Sequence, residues 1–336
     1  MNRPVRIVEN DEVVGAFRHR PVMLDEVVAM FATVPSGVII DATVGGAGHS
    51  AALLAARPDV KILGIDQDDV AVVAATEHLS SFAERAAVLR IRFDEMAGAA
   101  STAFPGIPVV GVLFDLGVSS VQVDRAERGF SYRQDGPLDM RMDRRGSVTA
   151  ADLVNAYEPA ALTTVLRDGG EDKYAARIAR AIVAARPLAT TNELAEVVRN
   201  AIPAPARRRP GDPAKRTFQA IRLEVNRELE VLTSALDVAV DLVVPGGRVV
   251  TLAYHSGEDR LIKQRFLLAA TGGCDCPVGL PCACGAVVTG RLVTRGSRKP
   301  RPEELNANRR SESARLRAIE ILRPEPNKLS RTEAVQ

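Results

Sequence analysis

Long apolar runs are missing from this chain. No window approaches the ~18 uninterrupted apolar residues that a membrane span requires. The opening stretch MNRPVRIVENDEVV has no continuous apolar segment of the kind a secretory signal carries. A soluble, cytoplasmic protein is therefore expected. A disulfide framework is also unsupported, because the 4 cysteines all fall within CDCPVGLPCACG, which offers no long loop to close. Excess charge is absent too: 44 Lys and Arg face 42 Asp and Glu, a balance of +2. A polyanionic partner would have to be met by a local patch rather than by the whole molecule. What is present suffices for a sizeable core. At 336 residues and 46% hydrophobic content, the chain suits one large domain with an insertion, or two domains.

Strand-like runs at Val38–Ile40, Val60–Ile65, Ala87–Ile91 and Val109–Phe114 alternate with helical patterns. That alternation predicts an α/β fold with a parallel, doubly wound sheet, whose ligand lies beyond the carboxyl ends of the strands. From Ser131 to Arg216 the rhythm gives way to amphipathic helices, two of them opened by capping boxes at Thr149–Asp152 and Thr190–Glu193. Past that point a long helix over Leu223–Leu242, the turn PGGR and a strand Val249–Ala253 are expected. The domains predicted are thus a discontinuous core of 1–130 and 217–323, an inserted helical domain over 131–216, and a mobile tail over 324–336.

The first strand runs into VIIDATVGGAGHS, a strand, tight turn and helix start, whose tail satisfies the loose dinucleotide pattern G-x-G-x-x-G/A. Gly45 and Gly46 supply the turn. Asp66 closes the second strand 20 residues after Gly46, where an acidic side chain accepts hydrogen bonds from a ribose diol. Enzymes that use NAD and enzymes that use S-adenosylmethionine share that device. Asp41 tilts the choice, since a buried anion beside the loop would repel a pyrophosphate but attract the ammonium and sulfonium of S-adenosylmethionine. Asp115 ends the fourth strand in FDLGVSS. A carboxylate there, with a neighbouring carbonyl, could accept hydrogen bonds from an exocyclic amine whose lone pair must be localised before it attacks; the bland alternative is a helix N-cap.

These residues sit in a longer set, HRPVMLDEV, DATVGGAGHS, GIDQD, FDLGVSSVQVDRAERGFSYRQDGPLDMRMD, RIARAI, PAKRTFQAIRLEVNREL, PGGRVVTLAYHSGEDRLIK and SARLRAIE, running in unbroken order from about His19 to Leu322. In this the chain resembles the bacterial 16S ribosomal RNA cytosine-N4 methyltransferases. The resemblance implies a Rossmann-type, S-adenosylmethionine-dependent enzyme with a helical insertion, acting on small-subunit ribosomal RNA. It places cofactor contacts on Ala47, Gly48, His49, Asp66, Phe93, Asp115 and Gln122, with Phe93 as a wall for the adenine. The sequence departs from the family pattern at Val121, usually proline, at Gly257, usually leucine, and at Asp212, often histidine. His255, at the end of the fifth strand, is a candidate substrate-side group or a hydrogen-bonded structural histidine. An NAD-dependent dehydrogenase and a non-catalytic RNA-binding assembly factor are the competing readings.

Two segments concentrate positive charge: Ser131–Arg216 holds 15 Lys and Arg against 11 acidic residues, and Ala286–Arg317 holds 9 against 3. Lys173, Arg177 and Arg180 recur at helical spacing opposite Tyr174, Ile178 and Ile182. Arg207, Arg208 and Arg209, with Lys215 and Arg216, add a loop cluster. Beside a base-methylating site these cations read as phosphate contacts. Aromatics make up only 4%, so recognition by RNA shape and backbone, with the target base extruded, is expected. Cys274, Cys276, Cys282 and Cys284 form C-x-C-x5-C-x-C, which reads as a tetrahedral zinc site or as four reduced thiols. C-x-C is tighter than finger spacing, and the resemblance implies only that some family members carry similar cysteines.

Overall fold

The computed structural model describes residues 20–208, 211–277 and 283–322. The tail expected over 324–336, Arg209 and Cys282 lie outside the described residues. The described chain divides into two compact units, one made of 67–74 and 117–232, the other of 20–66, 75–116 and the residues from 233 onward.

The second unit is built on a 7-stranded sheet. Its strands are β1 (Gly37–Asp41), β2 (Val60–Asp66), β3 (Ala86–Arg90), β4 (Val109–Asp115), β5 (Arg248–Ala253), β6 (Gly290–Leu292) and β7 (Arg315–Ile321). They lie in the order β3-β2-β1-β4-β5-β7-β6. The first five are parallel, as the alternating pattern predicts. β7 pairs antiparallel with β5, and β6 antiparallel with β7. These last two strands have no counterpart in the expected element list. β6 is only three residues long, and the burial of β7 lacks strict alternation.

β1 is buried at all five positions, as befits a central parallel strand covered on both faces. Ile39, Ile62, Leu113, Val250 and Leu252 pack with Val27, Phe31, Leu53 and Leu54 into one core. Each such side chain contributes roughly 1.5–3 kcal/mol by leaving water. Register then fixes where the strands end: Asp41 lies opposite Gly64 and Leu113, Asp66 opposite Arg90, and Asp115 opposite Leu252.

The first unit has its own core of Leu153, Leu166, Ile178, Ile182, Leu194, Val198, Phe218 and Ile221. Both expected capping boxes form, Asp152 N donating to Thr149 Oγ1 at 3.1 Å and Glu193 N to Thr190 Oγ1 at 3.3 Å. Its limits, 117 and 232, are wider than the 131–216 insertion read from the sequence. The reason is packing: Phe130 at one end, and Phe218 and Ile221 at the other, belong to this helical core. The single helix expected over Leu223–Leu242 is instead two helices, Ala214–Val225 and Glu228–Leu242. Between them Arg227 turns left-handed at φ 50°. Asn226, the cap at the end of the first of them, accepts through its side chain from Met142 N at 2.8 Å and donates to Met140 O at 2.8 Å.

One glycine of the sheet bears directly on the loop after β1. A Cβ at Gly64 would lie 2.8 Å from Cγ2 of Val44, a stiff β-branched side chain in that loop. Gly64→Ala should therefore lower unfolding free energy by about 1–3 kcal/mol, the usual range for overpacking, as read by chemical denaturation. A stability equal to that of the parent would show that the loop is not pressed against β2.

Candidate active site

At the carboxyl end of β1 the chain turns through 42–47 before the helix Gly48–Ala56. Gly45 and Ala47 take left-handed backbone conformations, φ 49° and 62°. Gly45 N donates to Asp66 Oδ2 at 3.1 Å, so the end of β2 holds the glycine loop in place. Ala47 occupies the N-cap position, and no side chain caps the helix. The positive end of its dipole thus faces the loop. Gly48 must be glycine for a packing reason, because a Cβ there would meet Pro21 Cγ at 2.4 Å. His49 Nε2 lies 3.0 Å from the carbonyl of Val22. A carbonyl only accepts, so neutral His49 carries its proton on Nε2 and turns an unprotonated Nδ1 inward. Burial lowers its pKa and favours that neutral form.

His49 Nδ1 is 3.6 Å from Asp115 Oδ2. Asp115 Oδ1 accepts a hydrogen bond of 2.7 Å from the hydroxyl of Tyr254, which directly follows β5. The backbone amide of Asp115 donates to Thr43 Oγ1 at 2.7 Å, joining the end of β4 to the turn after β1. Burial pushes the Asp115 carboxyl up to about 7; the Tyr254 hydroxyl pulls it down, and the nearby Glu258 carboxylate raises it further. Asp115 is not a helix cap. Ser119 performs that task for the next helix, accepting from Gln122 N at 3.3 Å. Asp41 is 1% exposed, its Oδ2 accepting from Ser50 Oγ at 2.6 Å, and burial raises its pKa as well. Phe93 stands edge-on to Phe114 at 5.7 Å between ring centres, half-buried past the end of β3.

Two of the expected site residues are placed differently. Gln122 belongs to the helical unit, 5% exposed. Both ends of its side chain are engaged, Oε1 by Ser119 N at 3.0 Å and Nε2 by Asp68 Oδ2 at 2.8 Å. Asp68 also receives Arg128 Nη2 at 2.8 Å, and both partners of this ion pair are almost fully buried. His255 is turned into the helix Ser256–Thr271 as its cap, Nδ1 accepting from Gly257 N at 3.2 Å and Glu258 N at 3.4 Å. Its Nε2 faces Glu258 Oε1 at 3.0 Å. The side chain that follows β5 and meets Asp115 is that of Tyr254. Sequence reasoning passed over Tyr254, whose only signal was its place between a strand end and His255. It also gave no role to Pro21 and Val22 within HRPVMLDEV.

On the helical unit Lys173, Arg177 and Arg180 are exposed, while Ile178 and Ile182 are buried. The helix begins at Ala175, so Lys173 precedes it and lies over the Tyr174 ring at 5.3 Å. Arg207, Arg208, Lys215 and Arg216 are exposed as well. The departures from the family pattern are accommodated locally. Val121 is buried at 2% exposure, Gly257 stands in the first turn of the helix that His255 caps, and Asp212 pairs with Arg199 at 2.8 Å.

A parallel sheet whose strand ends carry a glycine loop, an acidic residue closing β2 and a half-buried carboxylate closing β4 is the arrangement at which doubly wound folds take nucleotide-type ligands. The chain belongs to the MraW methylase family, whose model matches residues 16–322. It is 47% identical over 309 residues to the protein of Symbiobacterium thermophilum named ribosomal RNA small subunit methyltransferase H, covering 90% of this chain and 96% of that one. Proteins of the same name from Acidothermus cellulolyticus and Frankia alni are 47% and 46% identical, covering 91% and 94% of this chain and 94% and 98% of theirs. Among the described residues no helix is long and apolar enough to cross a membrane.

The raised pKa of Asp115 has a consequence for stability that needs no ligand. A carboxyl raised from 3.8 to about 7 on folding contributes stability below pH 3.8 that is lost as pH rises through 7. Asp115→Asn, which stays neutral, should be more stable than the parent by about 1–2 kcal/mol at pH 8, and the difference should fade toward pH 4. Denaturant titrations at the two pH values check this. A variant equally or less stable at pH 8 would show that Asp115 ionises at no cost.

Proposed function

We propose that this chain transfers a methyl group from S-adenosylmethionine to the exocyclic N4 amine of a cytidine in 16S ribosomal RNA. The observation that carries the reading is the half-buried Asp115 carboxyl, held by Tyr254 beside the glycine loop and His49. Family membership sets aside the dehydrogenase that the glycine loop alone allowed. The relatives named as methyltransferases favour an enzyme over a binding factor.

The residues present suit the cofactor. The uncapped helix start offers the amides of Gly48 and His49 and a positive dipole end to its carboxylate, while Ala47, whose own amide donates to Val44 O at 2.7 Å, shapes the left-handed turn before them. Asp66 accepts from a ribose diol, one of its oxygens also anchoring Gly45. Phe93 gives an apolar face for the adenine. Gln122 acts from a distance in this reading, steadying Asp68 and thereby the turn that follows Asp66. When bound, S-adenosylmethionine supplies an electrophilic methyl group on a sulfonium whose departure leaves a neutral thioether.

Everything else falls to the chain's own groups. Ionised Asp115 accepts from the N4 hydrogens, which turns the nitrogen lone pair out of conjugation with the ring. Tyr254 spends its hydroxyl proton on Asp115 Oδ1 and so fixes which oxygen faces the amine. His49, neutral with its proton on Nε2, adds no competing donor to Asp115. Asp115 would hold the amine nitrogen toward that methyl group. The amine, acidified by alkylation, then loses its proton to solvent without a dedicated base. The RNA is held by phosphate contacts from Lys173, Arg177, Arg180, Arg207, Arg208, Lys215 and Arg216, to which Arg209 belongs by sequence.

Asp115→Asn should reduce methyl transfer by ~10²-fold or more, the loss of one charge-assisted hydrogen bond made chiefly in the transition state, while RNA binding barely changes. Transfer at the parent rate would remove Asp115 from the chemistry. Asp66→Ala should weaken S-adenosylmethionine binding by roughly 1.5–3 kcal/mol for each ribose hydrogen bond lost, as read by calorimetry. Tight binding of NAD instead would overturn the cofactor assignment. Lys173, Arg177 and Arg180 changed together to alanine should weaken RNA binding and reduce its salt dependence by roughly 0.7–0.9 in logarithmic slope per lost phosphate contact. Cofactor affinity should survive that triple change, and an unaltered salt slope would move the RNA surface elsewhere.

A further inference from the structure

The helix Ser256–Thr271 ends at Gly272, left-handed at φ 64°, and the chain reaches the sheet again only at β6. None of the described residues from 272 to 289 is buried, and Val287 and Val288 are 48% and 43% exposed. Among the described residues of the segment, none is anchored by burial of an apolar side chain. Its backbone is nevertheless placed closely. Thr289 N donates to Ala269 O at 2.9 Å, and a Cβ at Gly272 would lie 2.6 Å from the backbone nitrogen of Val287.

Within this segment the Sγ atoms of Cys274, Cys276 and Cys284 all lie within 4.8 Å of one another. Three thiol sulfurs from two ends of one segment thus converge where none of the described residues around them is buried. Cys274 and Cys276 are half-buried and Cys284 is exposed, so the cluster is open to solvent on one side and a metal can enter. Around a tetrahedral zinc with bonds of about 2.3 Å, neighbouring sulfurs sit roughly 3.8 Å apart. The observed spread therefore needs a contraction on the order of 1 Å, within the reach of side-chain rotation on an exposed segment.

We propose that Cys274, Cys276 and Cys284 bind a structural zinc ion as thiolates. Soft sulfur donors select zinc over the hard cations calcium and magnesium. Binding releases the thiol protons, leaves the metal in its divalent state, and needs no oxidant. The ion ties the end of the helix Ser256–Thr271 to the residues leading into β6. It lies in the segment that precedes the basic stretch Arg291, Arg295, Arg298, Lys299 and Arg301, and takes no part in methyl transfer. The assignment stands on the thiol geometry and would hold whatever reaction the chain performs.

The full-length protein, purified under reducing conditions without chelator, should contain about one zinc per chain by elemental analysis. Cys274→Ser, Cys276→Ser and Cys284→Ser combined should abolish it. Should that variant fail to fold, the parent protein supplies the test: its cysteines should resist alkylation until a chelator is added, and cadmium added to the stripped protein should produce a thiolate-to-metal charge-transfer band. Zinc well below one per chain, another metal in its place, or cysteines that react equally with and without chelator would overturn the proposal.

Discussion

Parallel strands direct their carboxyl ends to one edge of the sheet, and this protein has an aspartate at the end of three of them. Asp41, Asp66 and Asp115 close β1, β2 and β4, adjacent strands of one sheet. Carboxylates gathered at one edge repel one another, the more so where water is excluded. The structure meets this constraint differently at each position. Asp66 is half-exposed and tied to the amide of Gly45. Asp41 is buried against Ser50 with a raised pKa, and Asp115 is raised to about 7 with Tyr254 on one oxygen. The glycine loop, the neutral His49 and the donated hydroxyl are all parts of that settlement.

Function follows from its cost. An aspartate that ionises only near neutrality is a poor choice for stability, and a well-packed asparagine would serve the fold better. The same half-desolvated carboxylate is a strong hydrogen-bond acceptor whose strength is not dissipated in bulk water. An aromatic amine needs that acceptor, because its lone pair is conjugated until its N–H groups are claimed. Tyr254 holds the balance, donating to one oxygen of Asp115 and so favouring its ionised form, while the other oxygen lies 3.6 Å from His49 Nδ1.

Much of this was legible in the sequence because it depends on local chemistry. The five parallel strands appear as short apolar runs, and the capping boxes at Thr149 and Thr190 as fixed spacings. Asp66 and Asp115 stand out as the acidic residues that end such runs. What was illegible depends on tertiary packing. Nothing local marks Arg227 for a left-handed turn; the break follows from Asn226 reaching the backbone of Met140 and Met142. The wider helical unit follows from Phe130 and Phe218 packing with its core. His255 and Tyr254 are neighbours in sequence, and only the helix that His255 caps shows which of them turns toward Asp115. Gln122 matched the family pattern by position, yet its side chain is engaged by Ser119 and Asp68, partners that only the folded chain assembles.

The central claim is that methyl transfer requires Asp115 ionised and aimed by Tyr254. It is tested most directly by the pH dependence of single-turnover methyl transfer, measured side by side for the parent and Tyr254→Phe. The parent rate should rise with pH through about 7, where Asp115 loses its proton. Donation from Tyr254 lowers the pKa of Asp115, so its removal should displace that rise to higher pH. Two profiles that coincide, or a parent rate that is flat across neutrality, would contradict the account.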